Sequence, residues 1–282
     1  MMVGKVAVIG GGTMGNGIAQ VFATQGADVQ LVDVEAAFLD RALGTIEKNL
    51  GRMVSKERIT QEAADAARAR ITPTTSLEDT ANRDLVVEAV PEKFALKRTI
   101  FETLDAVTNE ACILASNTSS ISITVIASVT KRADRVIGMH FMNPVPIMKL
   151  VEVIRGNDTS DATTETVVEM TKALGKVPVT AEDYPGFVSN RVLMPMINEA
   201  IFALWEGVAT REAIDEIMKL GMAHPMGPLA LADFIGLDVC LEIMDVLREG
   251  FGDDKYRACP LLRRKVAAGH LGRKTERGFY EY

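Results

Sequence analysis

Lys5-Val6-Ala7-Val8-Ile9 runs directly into Gly10-Gly11-Gly12-Thr13-Met14-Gly15, and a second apolar run, 29–32, ends on Asp33. A buried-type strand, a glycine turn, a helical stretch and an acid closing the next strand together form the dinucleotide-binding fingerprint. Each position has a physical reason. Gly10 permits the tight turn, and Gly12 lets the backbone approach a pyrophosphate. Gly15 lets the helix pack close to the strand, so the helix N-terminus, opened by Thr13 and Met14, faces the phosphate charge. Asp33 stands where a carboxylate accepts both hydroxyls of an adenosine ribose. It would repel a 2′-phosphate on that ribose, and Val34, Glu35 and Ala36 bring no cation to offset the repulsion. The expected cofactor is NAD.

Outward from this motif, short apolar runs alternate with helical patterns, the mark of a parallel sheet covered on both faces. Strands are expected at 5–9, 29–32, 85–89, 112–116 and 136–140. The stretch from Asp33 to the strand signal near Ile71 is too long for one crossover helix, and two helices, 35–56 and 60–69, fill it. On the first, Leu39, Leu43, Ile46, Leu50 and Met53 recur at helical spacing as an apolar stripe. Lys48, Arg52 and Lys56 recur every four residues on another face, which reads equally as a solvated surface or as an anion site. Past 177–180 the pattern changes. Tyr184-Pro185-Gly186 punctuates the chain, and helical patterns follow at 187–205, 211–219 and 228–250. The fold class is therefore α/β, a doubly wound Rossmann-type sheet followed by an all-helical C-terminal domain. The expected domains are 1–184, with the helical pair inserted at about 35–69, and 185–282.

At 282 residues the chain is long enough for two domains. Its three cysteines, Cys112, Cys240 and Cys259, are scattered and lack CxxC spacing, which fits a reducing compartment. The first strand begins too near Met1 to leave room for a secretory leader, and no stretch reaches membrane-spanning length without a charge, Pro or His. These features predict a cytoplasmic protein with no membrane partner. A formal charge of −7 argues against nucleic acid and obliges an anionic substrate to find a local cationic patch.

A dinucleotide fold does not name a reaction, which must be argued from other residues. His140 closes the run 136–139 and so lies at the carboxyl end of a strand, where ligands bind in this architecture. An imidazole there can take the proton of a hydroxyl as hydride leaves the adjacent carbon; it can equally be a buried histidine satisfied by backbone. Glu152 interrupts an apolar strand, where a carboxylate needs a partner such as a histidine. Asn117, Ser119 and Ser120 follow the strand 112–116 and can address nicotinamide or a substrate oxygen, although turn polarity also explains them. Asn190 opens the first long helix of the second domain. His224 and His270 have no neighbouring ligand spacing, so no metal site is expected.

Several segments then align with one family: 10–17 as GGGTMGNG, 116–120 as SNTSS, 140–146 as HFMNPVP, 149–154 as KLVEVI, 185–191 as PGFVSNR, 224–232 as HPMGPLALA and 271–280 as LGRKTERGFY. Together they resemble the L-3-hydroxyacyl-CoA dehydrogenase family, and within it the stand-alone bacterial 3-hydroxybutyryl-CoA dehydrogenases. The likeness covers essentially the whole chain in order. It implies NAD as cofactor, an acyl-CoA substrate and hydride transfer between (S)-3-hydroxyacyl-CoA and 3-oxoacyl-CoA. It also implies a homodimer formed through the helical domain, whose segment 228–244 is apolar on more than one face. By resemblance His140 is the catalytic base, Glu152 its orienting acid, and Ser119 and Asn190 the polar residues around the substrate's 3-oxygen. Glu92, Lys97, Asn143 and Lys274 match residues near the nicotinamide. Lys56 and Arg52, with Lys48, match a basic face that meets the CoA nucleotide.

Three positions depart from the family pattern. Met142 replaces a more usual aromatic, Glu276 stands where the terminal motif has glycine, and Asn49 replaces a serine near CoA. Two rivals share the scaffold: a sugar-acid dehydrogenase without CoA, and a catalytically silent NAD-binding protein. The joint presence of His140 and Glu152 weighs against the second.

Overall fold

The computed structural model describes residues 4–282. The chain forms two compact units, the second being Tyr184–Tyr282. In the first unit a single 8-stranded sheet contains β1 (Lys5–Ile9), β2 (Asp28–Val32), β3 (Ile71–Thr74), β4 (Leu85–Glu88), β5 (Ile113–Ser116), β6 (Val136–Phe141), β7 (Leu150–Arg155) and β8 (Val177–Glu182). Their spatial order is β3-β2-β1-β4-β5-β6-β7-β8. Strands β1 to β6 run parallel, which is the doubly wound order with its switch point between β1 and β4. These strands are continuous apolar runs because both of their faces are covered: Val6, Val8, Leu31, Val87 and Leu114 are all buried.

The parallel pattern ends at β6. Strand β7 pairs antiparallel to β6, and β8 parallel to β7. The connection 142–149 is too short for the crossover that a parallel pair requires, so the chain turns back as a hairpin. Asn143-Pro144 in that turn is a cis peptide.

The helices of this unit are α1 (Thr13–Thr24), α2 (Ala36–Ser55), α3 (Gln61–Ala69), α4 (Phe94–Val107), α5 (Ile123–Ala127) and α6 (Asp161–Ala173). Helix α2 buries Leu39, Leu43, Ile46 and Leu50, while Met53 is half-buried. It stops one residue short of the expected end, leaving Lys56 as the C-cap residue ahead of a left-handed Glu57 with φ 54°. Thr60 caps α3 by accepting the Ala63 N–H.

The second unit contains α7 (Ser189–Trp205), α8 (Arg211–Gly221), α9 (Pro228–Ile235), α10 (Leu237–Phe251) and α11 (Pro260–Ala267). The single helix expected over 228–250 is two helices. Gly236, with φ 107°, breaks it, and the Leu237 N–H donates to Leu271 O instead of continuing the helix. Two buried acids organise this unit. Asp215 accepts the Leu229 and Ala230 N–H groups at the start of α9, and Asp233 accepts those of Phe279 and Tyr280, drawing the chain terminus onto α9. Among the described residues, no helix is long and apolar enough to cross a membrane.

Candidate active site

The carboxyl ends of the parallel strands place the site. After β1, Gly10 adopts φ 102°, and a Cβ at Gly15 would overlap the Gly10 carbonyl oxygen, so the close helix–strand approach tolerates no side chain there. A Cβ at Gly12, by contrast, would meet nothing within 4 Å. That open backbone, together with an α1 N-terminus lacking a side-chain cap, is a cradle for an anion and fits a dinucleotide pyrophosphate. The cradle opens into a cavity of about 1180 Å³. Gly10, Gly12, Thr13, Met14 and Asp33 line it, facing α2 and α4 side chains such as Phe38 and Thr99.

Asp33 does not hang free in this cavity. Its Oδ2 accepts the Gly11 N–H at 2.7 Å and its Oδ1 accepts the Val34 N–H at 2.7 Å, which fixes both oxygens for a ribose. Arg41, two turns into the crossover, is the only cationic side chain among the described residues lining the cavity. Its guanidinium lies 4.5 Å from the centre of the Phe38 ring. Arg41 lies beyond the three residues that directly follow Asp33, and the helical pattern expected over 35–56 was the signal that could have found it.

At the next edge, β5 leads into Asn117-Thr118-Ser119-Ser120 and β6 ends at His140-Phe141. The antiparallel register sets His140 directly opposite Glu152. His140 Nδ1 is 2.7 Å from Glu152 Oε2, both side chains being buried, and Nε2 is 3.0 Å from Ser119 Oγ. A carboxylate only accepts, so Nδ1 carries the proton and donates to Glu152. Nε2 then has the lone pair and accepts from the Ser119 hydroxyl. The result is a relay, Ser119 to His140 to Glu152, in which Nε2 is the basic atom.

Asn117 Oδ1 accepts the Phe141 N–H at 2.9 Å, tying the loop after β5 to the end of β6. Glu92 Oε1 accepts from the Ser119 N–H at 3.0 Å, the Ser120 N–H at 2.9 Å, and the Thr118 and Ser120 hydroxyls. Burial pushes the Glu92 carboxyl upward, but the Lys97 ammonium and the hydrogen bonds from Thr118, Ser120 and Lys97 outweigh it and hold the group below its ordinary value. Lys97 itself is 1% exposed and lies between Glu88, at 2.7 Å, and Glu92, at 3.2 Å. It is an internal counter-ion and does not line the cavity. Asn143 is exposed in the hairpin turn.

Two residues that sequence reasoning passed over support these loops. Glu88 ends β4 just as Asp33 follows β2, an acid closing an apolar run, and that shared signal was available. Lys176 donates to Val145 O at 2.7 Å and Met148 O at 2.6 Å, tethering the hairpin turn between His140 and Glu152. Burial lowers its pKa. Among the described residues, no group of three His, Cys, Asp or Glu side chains is placed to hold a metal ion.

Lys48, Arg52 and Lys56 are exposed on or just beyond α2, opposite its buried stripe, and form no ion pair among the described residues. Asn49 donates to Gln20 Oε1 at 3.3 Å. Asn190 and Lys274 belong to the second unit, where Asn190 is buried in the first turn of α7 and Lys274 pairs with Asp238. Glu276 adopts φ 57°, the left-handed conformation that glycine takes without cost.

The chain matches the model of the 3-hydroxyacyl-CoA dehydrogenase NAD-binding domain over residues 5–184 and that of the 3-hydroxyacyl-CoA dehydrogenase C-terminal domain over residues 186–282. The chain belongs to the 3-hydroxyacyl-CoA dehydrogenase family. Among curated relatives, a 3-hydroxybutyryl-CoA dehydrogenase of Bradyrhizobium diazoefficiens is 58% identical over 99% of this chain and 95% of its own length. One of Clostridioides difficile is 53% identical over 99% of both. The crystal structure of (S)-3-hydroxybutyryl-CoA dehydrogenase from Ralstonia eutropha is 53% identical, superposes with a TM-score of 0.97, and covers 99% of this chain and 98% of that one. The family's cofactor is NAD, and the cradle and cavity described above fit it.

Proposed function

We propose that the chain interconverts (S)-3-hydroxybutyryl-CoA and acetoacetyl-CoA with NAD, and that the relay Ser119, His140 and Glu152 performs the proton transfer. The 2.7 Å His140–Glu152 pair at the carboxyl edge of the sheet carries this reading. Bound NAD supplies the hydride acceptor for C3 of the substrate, and NADH the donor. In oxidation His140 Nε2 removes the hydroxyl proton while Glu152 stabilises the imidazolium that forms; in reduction His140 returns the proton. Ser119 orients the oxygen at Nε2 by hydrogen bonding. The family resemblance alone assigns Asn190 to the substrate and Asn143, Lys97 and Lys274 to the cofactor.

NADH-dependent reduction of acetoacetyl-CoA tests the activity, and turnover of a sugar acid lacking CoA in its place would overturn it. The same assay tests Asp33. NADH is expected to be preferred over NADPH by about tenfold or more in kcat/KM, since a repulsion of about 1.4 kcal/mol suffices. Asp33→Ala should bring the ratio close to parity, because Arg41 already lines the cavity and can meet the added phosphate. Equal efficiency with both cofactors in the native enzyme would refute the assignment of Asp33.

We also propose a cytoplasmic homodimer. Cys112, Cys240 and Cys259 are free and buried, and burial pushes the first two thiols up to about 11 and about 12. The segment expected to form the dimer interface mostly serves its own core, burying Leu229, Leu237, Cys240, Ile243 and Met244. The apolar side chains left exposed include Ile217, Leu220 and Met222, on or just beyond α8, and these are the better candidates for the interface. Sedimentation should give the mass of two chains, falling towards one in Leu220→Glu. A native monomer at all concentrations would contradict the proposal.

A further inference from the structure

Glu88 is wholly buried at the end of β4, and each of its oxygens serves a different loop. Oε1 accepts the Val90 N–H and the Lys97 ammonium, both at 2.7 Å. Val90 belongs to the wall of the dinucleotide cavity. Oε2 accepts the Ser116 hydroxyl at 2.6 Å, and Ser116 Oγ in turn accepts the Thr118 N–H at 3.2 Å. Lys97 carries the connection onward to Glu92, whose other oxygen gathers the donors of residues 118–120. The hydrogen bonds therefore close a ring, Glu88 to Lys97 to Glu92 to the Ser119 loop to Ser116 and back to Glu88. Ser119 sits on this ring and reaches out of it to His140.

Stability is a weak reason for such an arrangement. A wholly buried carboxylate and a half-buried one around one buried ammonium cost desolvation that well-packed apolar side chains would avoid. What the ring provides is placement: the Ser119 and Ser120 N–H groups and the Thr118 and Ser120 hydroxyls are directed at Glu92, which is ion-paired to Lys97, and the Thr118 N–H is held by Ser116, which donates to Glu88. A misplacement of about 1 Å at a reacting group costs up to roughly 10²-fold in rate. We infer that Glu88 is a positioning residue of the proton-transfer relay, fixing Ser119 against His140 Nε2 from within the sheet. The inference rests on the proposed role of Ser119 and His140.

The test is a double-mutant cycle in NADH-dependent reduction of acetoacetyl-CoA, with Glu88→Gln, Ser119→Ala and the combined variant. E88Q is close to isosteric and keeps an acceptor for Val90. It should lower kcat by about tenfold while the KM for acetoacetyl-CoA stays close to native, since the cationic face of α2 is untouched. In the S119A background E88Q should add little, because placement of an absent hydroxyl no longer matters. Ser116→Ala, which deletes only the hydroxyl link, keeps the question answerable if E88Q folds poorly: it should lower kcat in the same sense and also lose its effect in S119A. Full multiplication of the E88Q or S116A effect on that of S119A would overturn the inference alone. S119A with native kcat would overturn the role of Ser119, and the inference with it.

Discussion

Replacing His140 with Gln is expected to lower kcat by roughly 10²–10⁴, the usual contribution of a positioned general acid–base group, with NADH binding close to native. The imidazole acts through Nε2 on one proton, and the dinucleotide cradle at Gly10 to Gly15 does not include it. Gln is similar in length and holds polar atoms in the same place, but it cannot exchange a proton near neutrality. Glu152→Gln should also lower kcat, by about 10², because an amide can turn its NH₂ towards Nδ1 and reverse the ring's donor and acceptor. Its KM should change little. Stopped-flow turnover with a parallel NADH titration checks both variants. An H140Q enzyme within a few-fold of native kcat would refute the relay, and a native-like E152Q would remove Glu152 from it.

The second large effect is expected in binding. Arg52→Ala with Lys56→Ala should raise the KM for acetoacetyl-CoA by about 30-fold at low salt, from two exposed charge contacts worth about 1 kcal/mol each. Both side chains are exposed and unpaired among the described residues, on a chain with a net charge of −7. The opposite face of α2 is anchored by Leu43, Ile46 and Leu50, so the cations are held outward. The rise should shrink with added salt as screening grows. It should be nearly absent for a truncated thioester lacking the nucleotide. An equal loss with both substrates, or none with either, would show that this face is only solvated surface and that CoA is held elsewhere.

Glu276 illustrates a middle case between sequence and structure. Its place in a motif that usually carries glycine is what the family resemblance implies, while the reason, a left-handed φ of 57°, is a property of the folded turn. The break at Gly236 is similar. A glycine in an apolar run signals a possible interruption, but the run remained helical in pattern on both sides. Only the pairing of Leu237 with Leu271 decides that the helix restarts there. Helical periodicity reports which side chains face the core. It carries no information on whether a distant carbonyl competes for one backbone donor.

By itself the sequence determined the parallel strands, the glycine cradle, the acid after β2 and the placement of His140 at a strand's carboxyl end, because alternation, glycine spacing and strand length are local properties. Tertiary structure decided the partners. His140 meets Glu152 because a short connection reverses the chain and the hairpin register sets them opposite. Lys97, which sequence likeness placed beside the nicotinamide, is buried between Glu88 and Glu92. Which carboxylate a cation chooses depends on the desolvation and distance of groups brought together from different strands and helices, and neither quantity exists until the sheet has closed over them.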